Sequence, residues 1–195
     1  MLTDSLTRFR SDYAHRFWRY LLVMVLTIFI VYAFIKITGD ERQILKFLKF
    51  MFGTSSSRQS NNFLPLFWHN LTGSILIIVL GVLPVPLYWI FLVYNAASVG
   101  MVLAFVNNPY LGFLTGILPH GIFEVSAQVI SALISARIVW YQIDKLRHRS
   151  VQVSFGQLIK QTLDDILIYV VPLYFIAAII ETYLTPLLLN LAHVK

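Results

Sequence analysis

The chain contains no cysteine and few charged residues. Of its 195 residues, 12% are Asp, Glu, Lys or Arg, whereas a soluble domain carries about 25%. Apolar residues make up 58% of the chain, so most of its surface must face an environment other than water. The absence of cysteine excludes disulfides, thiolate metal sites and cysteine nucleophiles.

Charge is absent altogether from one long internal stretch. From Gln59 to Phe123, 65 consecutive residues include no Asp, Glu, Lys or Arg. A membrane-spanning helix needs about 20 apolar residues, so this stretch holds two complete spans, their turn and the start of a third. The net charge of +6 does not indicate a nucleic-acid partner, because the basic residues lie between spans, where lipid headgroups attract them.

The sequence predicts an all-α fold, a polytopic transmembrane bundle of about five spans that forms a single membrane domain over residues 1–195. The predicted spans cover residues 17–37, 64–83, 87–106, 120–136 and 166–189. The four tryptophans support these boundaries, because each lies at a predicted span end, as interfacial aromatic residues do: Trp18, Trp68, Trp89 and Trp140.

Three polar segments connect or precede the spans. Residues 1–16 are predicted to form a polar N-terminal tail, and residues 141–162 a basic loop. In residues 40–62, apolar side chains recur with helical spacing opposite basic ones, which predicts a short amphipathic helix in the membrane interface, followed by a Ser- and Asn-rich loop. A solvated linker is the alternative for this segment.

A proline-containing motif interrupts the hydrophobic segment 111–140. Pro119-His120-Gly121 lies in its first half, and a proline removes a hydrogen bond from a helix. A straight helix of 30 residues would be about 45 Å long, more than a hydrocarbon core of about 30 Å requires. We therefore predict a half-length helix, a break or kink at Pro119 and Gly121, and then the main span.

The distribution of basic residues favours an N-terminus on the inner side. With five spans in this orientation, nine Lys or Arg residues belong to inner segments and six to outer ones. Because the positively charged segments of membrane proteins tend to stay on the cytoplasmic side, we predict an inner N-terminus and an outer C-terminus.

Glu124 and Glu181 are the two acidic residues inside predicted spans. His120, Glu124 and Gln128 are spaced i, i+4 and i+8, which places a polar stripe on one face of an apolar helix. Glu124 precedes Arg137 by 13 residues, about 20 Å of helix, and Glu181 follows Ile166 by 15 residues, about 22 Å. Both carboxylates therefore reach a similar depth in the outer half of the membrane.

Two asparagines lie in spans near this zone, Asn70 toward the outer start of the second span and Asn95 nearer the middle of the third. The predicted intramembrane polar site consists of His120, Glu124, Glu181, Asn70, Asn95 and Gln128. Three interpretations are open: a hydrogen-bonded core that locks the helices together, a site for an ion, proton or small solute, or a metal-dependent intramembrane hydrolase. The third fits least well, because His120-x-x-x-Glu124 differs from the His-Glu-x-x-His zinc pattern. We predict no catalytic residue, no metal ligand and no cofactor.

Several short motifs resemble one family of prokaryotic membrane proteins, the stage II sporulation protein M family. The most specific is Pro119-His120-Gly121-Ile122-Phe123-Glu124. The others, in the same order and spacing, are His69-Asn70 with Gly73 and Gly81, Asn95 with Gly100, and Ile180-Glu181 followed by Leu184-Thr185-Pro186. One departure is Ala96, where the family is expected to have glycine.

The resemblance implies an all-helical protein of a bacterial or archaeal cytoplasmic membrane. In spore formers, the family's namesake acts in engulfment and holds partner proteins that degrade peptidoglycan, without being the hydrolase. The first hypothesis is therefore a non-enzymatic membrane scaffold that recruits other membrane or envelope proteins. The second is a channel or transporter subunit that uses the polar site, in which case a homo-oligomer would complete the path.

Overall fold

The computed structural model describes residues 2–39, 62–151 and 153–192. Within these residues it forms five long apolar helices and no strand. Each helix is long and apolar enough to cross a membrane, so the predicted all-α bundle of five spans is confirmed. The five helices are α1 (Thr3–Thr38), α2 (Phe63–Leu80), α3 (Tyr88–Phe105), α4 (Pro109–Leu146) and α5 (Phe155–Leu191).

Three of these helices contain wide turns with π-helical hydrogen bonding. In α1, Phe9–Tyr13 joins Leu2–Arg8 to Ala14–Thr38. In α4, Gly112–Ile117 lies between Pro109–Leu111 and Leu118–Leu146. In α5, two wide turns, Ile166–Val170 and Ile180–Leu184, separate the regular segments Phe155–Asp165, Val171–Ile179 and Thr185–Leu191.

Three of the four wide turns end two residues before a proline, and the proline explains them. Pro119, Pro172 and Pro186 each take the second position of the regular segment that follows. A proline has no N–H, and its ring clashes with the carbonyl four residues earlier, so a wider preceding turn accommodates it. The residue before each proline donates its N–H five residues back: Leu118 to Phe113, Val171 to Ile166 and Thr185 to Ile180.

The predicted interruption at Pro119-His120-Gly121 is therefore a widening of the helix. Helix α4 continues through all three residues, and its irregular turn, Gly112–Ile117, comes before them. A half-length helix that is separate from the main span was a wrong prediction, because the wide turn accommodates the proline without ending the helix. Gly121 has ordinary helical backbone, and a Cβ there would meet Ile117 at an ordinary contact distance of 3.5 Å.

Helix α4 is the centre of the bundle. Residues 127–136 are all buried, and ten consecutive buried residues require neighbours on every side of a helix. Those neighbours are α1, α2, α3 and α5. The Ser135 hydroxyl donates to the Ile77 carbonyl of α2 at 2.8 Å. Large apolar side chains on the outer faces of the other helices remain exposed, as expected of surfaces that contact lipid.

Two glycines allow the helices to approach closely. A Cβ at Gly100 of α3 would lie 2.6 Å from the Ile28 carbonyl oxygen of α1. A Cβ at Gly81, directly after α2, would lie 2.9 Å from the Ser135 carbonyl oxygen of α4. Any larger residue at either position would push backbone away from backbone, so these contacts fix the spacing of α1 against α3 and of α2 against α4.

The segments outside the predicted spans are more helical than expected. Residues 2–16, the predicted polar tail, form the first turns of α1. The predicted basic loop 141–162 shortens to the residues between Leu146 and Phe155, because α4 extends to Leu146 and α5 begins at Phe155 after a capping box formed by Ser154 and Gln157. The predicted interfacial helix in residues 40–62 lies outside the described residues, apart from Asn62.

Candidate functional site

Three ionisable side chains from two helices come together inside the bundle. His120 and Glu124 belong to α4, and Glu181 belongs to α5. Each offers one atom able to bind a metal ion, and these three atoms lie within 4.8 Å of one another. All three side chains are half-buried. The two glutamates therefore meet, at the common depth that counting residues along the spans predicted.

The two helices present these side chains in different ways. In α4, the regular helix after Pro119 places His120, Glu124 and Gln128 on one face through their i, i+4 and i+8 spacing. In α5, Glu181 is the second residue of the wide turn Ile180–Leu184. Wide turns of this kind occur frequently at functional sites.

Neutral polar side chains surround the ionisable ones. The Gln128 amide donates to Glu124 Oε1 at 3.1 Å and to Asn95 Oδ1 of α3 at 3.4 Å. The Asn95 amide donates in turn to the Phe91 carbonyl at 2.7 Å. His120 Nδ1 lies 3.3 Å from the Thr185 hydroxyl. Glu124 and His120 are thus held by hydrogen bonds. We use the name outer cluster for His120, Glu124, Glu181 and the three residues that support them, Gln128, Asn95 and Thr185.

Asn70 does not join the outer cluster by any hydrogen bond among the described residues. It is half-buried on α2. Thr185, which sequence reasoning quoted only as part of a family motif, is the residue that joins it instead. The sequence did contain a pattern that could have identified Thr185. Thr185 follows Glu181 by four residues, the same spacing that separates His120 from Glu124.

The outer cluster contains two carboxylates and no Lys or Arg. In the part of the chain that the structure describes, no salt bridge reaches Glu124 or Glu181. An ionised carboxylate in hydrocarbon costs at least several kcal/mol without a partner. The outer cluster must therefore hold protons or take up positive charge from outside the protein.

A second polar site, which sequence reasoning missed, lies at the opposite end of α4. Asp165 of α5 is fully buried and accepts hydrogen bonds from Arg8 at 2.8 Å, from Tyr13 at 2.8 Å and from Arg137 at 3.0 Å. The Ser5 hydroxyl also donates to it. We use the name Asp165 hub for this group.

The Asp165 hub joins three separate parts of the chain: the start of α1, the C-terminal part of α4 and the start of α5. Arg137 also donates to the Thr162 hydroxyl at 3.2 Å, and its guanidinium lies 5.6 Å from the centre of the Tyr13 ring. Glu124 and Arg137 are 13 residues apart, so the Asp165 hub lies about 20 Å from the outer cluster. Its role in the structure is to fasten the helix ends.

Comparisons with known proteins assign the chain to a family. A family model described as Stage II sporulation protein M matches residues 20–186, a range that contains the whole outer cluster. A protein described as uncharacterized, from Methanocaldococcus jannaschii, is 35% identical over 102 residues, which cover 49% of this chain and 54% of the relative. The chain thus spans about half the length of that curated relative. No solved structure matches the chain. Because the family model covers most of its length, the chain belongs to the stage II sporulation protein M family of membrane proteins.

Proposed function

We propose that this chain is a subunit of a membrane transporter that takes up a cation at His120, Glu124 and Glu181. The observation that carries the proposal is the convergence of two carboxylates and an imidazole inside the bundle, with no Lys or Arg paired to them among the described residues. Ionisable residues inside spans commonly mark ion or proton pathways, because their burial is costly unless it serves function.

The packing of α4 favours a transporter over an open pore. The three ionisable side chains are half-buried, whereas residues 127–136, which continue α4 toward the Asp165 hub, are all buried. A cation at the outer cluster would therefore meet closed packing on its inner side. Release to the inner side would require the helices to move, as alternating access does in other transporters. We propose that a second copy of the chain helps to enclose the path of the cation through the membrane.

We further propose the cytoplasmic membrane of a prokaryote as the location, with the N-terminus inside. The excess of basic residues in the segments that this orientation places inside supports it, as does the family to which the chain belongs. The proposed partners are the lipid bilayer, a second copy of the chain and other membrane or envelope proteins. No enzymatic activity is proposed.

Cation flux into proteoliposomes tests the proposal. Purified full-length protein is reconstituted, and uptake of protons and of divalent cations is followed with fluorescent indicators in the vesicle lumen. Glu181→Gln is expected to remove most of the protein-dependent flux. Asp144→Asn makes the same chemical change at a partly exposed ion pair outside the outer cluster and is expected to leave flux intact. Equal flux from wild-type and Glu181→Gln vesicles would refute the proposal.

A scaffold that recruits envelope proteins is the second candidate, and one observation favours it. Polar side chains in the bundle bond mainly to one another and to backbone, as Gln128 does to Glu124 and Asn95, and Ser135 does to Ile77. A closed polar core of this kind suits a protein that holds its helices rigidly. A scaffold would retain partner recruitment in Glu181→Gln and lose only some stability, whereas a transporter would keep its fold and lose flux.

A further inference from the structure

We propose that the cation at the outer cluster is a divalent transition-metal ion of the Zn²⁺ or Mn²⁺ type, bound by one imidazole nitrogen and two carboxylate oxygens. This inference concerns the same three residues as the proposed transport function, rests on it for the ion's movement, and names the class of ion. The ligand atoms belong to His120, Glu124 and Glu181 and lie within 4.8 Å of one another.

The kinds of ligand select the class of metal. Carboxylate oxygens alone suit Mg²⁺ and Ca²⁺, but an imidazole ligand suits zinc and the other transition metals. Sulfur ligands that would favour Cu⁺ are missing from the outer cluster, and the chain has no cysteine. One imidazole and two carboxylates therefore fit Zn²⁺, Mn²⁺, Fe²⁺ or Co²⁺, with water completing the coordination.

The charges of the site fit a divalent ion. Two ionised carboxylates and a neutral imidazole carry a charge of −2, which a divalent cation cancels, so the loaded site is neutral in a low-dielectric environment. A monovalent cation would leave an uncompensated negative charge. No described Lys or Arg forms a salt bridge with either glutamate, so the protein supplies no competing positive charge.

The surrounding residues orient the ligands as the outer shell of a metal site does. Gln128 donates to Glu124 Oε1, and this fixes one carboxylate oxygen. The Thr185 hydroxyl lies 3.3 Å from His120 Nδ1, which leaves Nε2 as the nitrogen for the metal. With bonds of about 2.1 Å, ligand atoms on one metal lie at most about 4.2 Å apart. Because the three ligand atoms lie within 4.8 Å of one another, a bound ion would draw them closer together.

Metal binding is measured directly on the full-length protein in detergent. Co²⁺ is titrated and its visible absorption recorded, followed by displacement with Zn²⁺, because Co²⁺ takes similar sites and is coloured. We expect one ion per chain, with affinity lowered at least about 100-fold in Glu181→Gln and in Glu124→Gln. Gln128→Leu keeps all three ligands and is expected to lower affinity about 10- to 100-fold while one ion still binds, since it removes an orienting hydrogen bond.

His69→Ala is the control, because His69 is an exposed histidine on α2 outside the outer cluster. It is expected to leave Co²⁺ binding unchanged, and thermal unfolding identifies any variant that has lost its fold. An absence of Co²⁺ and Zn²⁺ binding to wild-type protein would overturn the inference, as would equal binding by wild type and Glu181→Gln. The first of these results is obtained with wild-type protein alone. The second requires only that Glu181→Gln is folded.

Binding and flux together separate this inference from the proposed function. Flux of protons or monovalent cations without any metal binding would overturn the metal inference and leave the transporter proposal standing. Metal binding at one ion per chain without flux would support the metal site and refute transport. Mutually dependent binding and flux of the same divalent ion would support both.

Discussion

The Asp165 hub gives the sharpest stability prediction, through the change Asp165→Asn. Asp165 is fully buried, and the side chains of Arg8 and Arg137 that contact it are only 15% and 16% exposed. Their Nε atoms are buried and have no hydrogen-bond partner. Removing the carboxylate charge therefore leaves two desolvated guanidinium groups without compensation, while the shape of the side chain is kept.

Breaking a buried ion pair by removing one partner costs about 3–5 kcal/mol. Two arginines share Asp165, and both are slightly exposed, so we expect Asp165→Asn to lower the free energy of unfolding by about 3 kcal/mol. Asp144→Asn is the matched control, because Asp144 and Arg149 form an exposed ion pair of 3.6 Å, worth at most about 1 kcal/mol.

The assay is reversible unfolding in mixed detergent micelles, followed by tryptophan fluorescence. The difference between the two variants is the informative quantity, because detergent effects common to both cancel. If Asp165→Asn and Asp144→Asn lowered the free energy of unfolding equally, the Asp165 hub would not fasten the helix ends, and the reasoning from burial would be refuted.

Two further predictions concern helix packing. Gly100→Ala is expected to lower the free energy of unfolding by about 1–3 kcal/mol, because its Cβ would meet the backbone of Ile28, whereas Gly73→Ala should change it little because the nearest atom is 4.0 Å away. Unfolding in micelles checks both, and equal effects would contradict the close contact of α1 and α3. Ser74 and Tyr174 share a buried hydrogen bond of 2.6 Å. A double-mutant cycle with Ser74→Ala and Tyr174→Phe should give a coupling energy of about 0.6–1.7 kcal/mol. A coupling energy near zero would contradict a stabilising hydrogen bond between these two side chains.

The five spans were predictable because hydrophobicity and the absence of charge act on each segment separately. The predicted second span, 64–83, and third span, 87–106, lie within a few residues of α2 and α3. The wide turns were harder to predict from the sequence. A proline inside an apolar run predicts an irregularity, but whether the helix breaks or widens depends on packing against its neighbours.

The Asp165 hub was missed because its members come from distant parts of the chain. Ser5 and Asp165 are 160 residues apart, and Arg137 precedes Asp165 by 28 residues. Each residue by itself has the appearance of an ordinary charged or polar residue at the end of a span. The available signal was that Arg137 and Asp165 end adjacent antiparallel spans on the same side of the membrane, where opposite charges meet.

Part of the outer cluster could be predicted from the sequence, namely the part that lies on one helix. His120, Glu124 and Gln128 share one helix, so their common face follows from spacing alone, and the depth of Glu181 follows from counting residues. The sequence led us to expect no metal ligands, because His120-x-x-x-Glu124 differs from the His-Glu-x-x-His zinc pattern. Only the packing of α4 against α5 brings the third ligand, Glu181, close enough to suggest a metal site.

The most direct test of the central claim, a cation site open to water inside the membrane, is thiol accessibility at position 181. The chain has no cysteine, so Glu181→Cys introduces a single thiol, and a membrane-impermeant thiol reagent is applied from each side of proteoliposomes. Ile176→Cys, on the lipid-facing side of α5, is the control. The account predicts labelling at 181 from the outer side and none at 176. Absence of labelling from either side, together with ready disulfide formation in the double variant Glu124→Cys/Glu181→Cys, would show a dry, packed core and contradict the account.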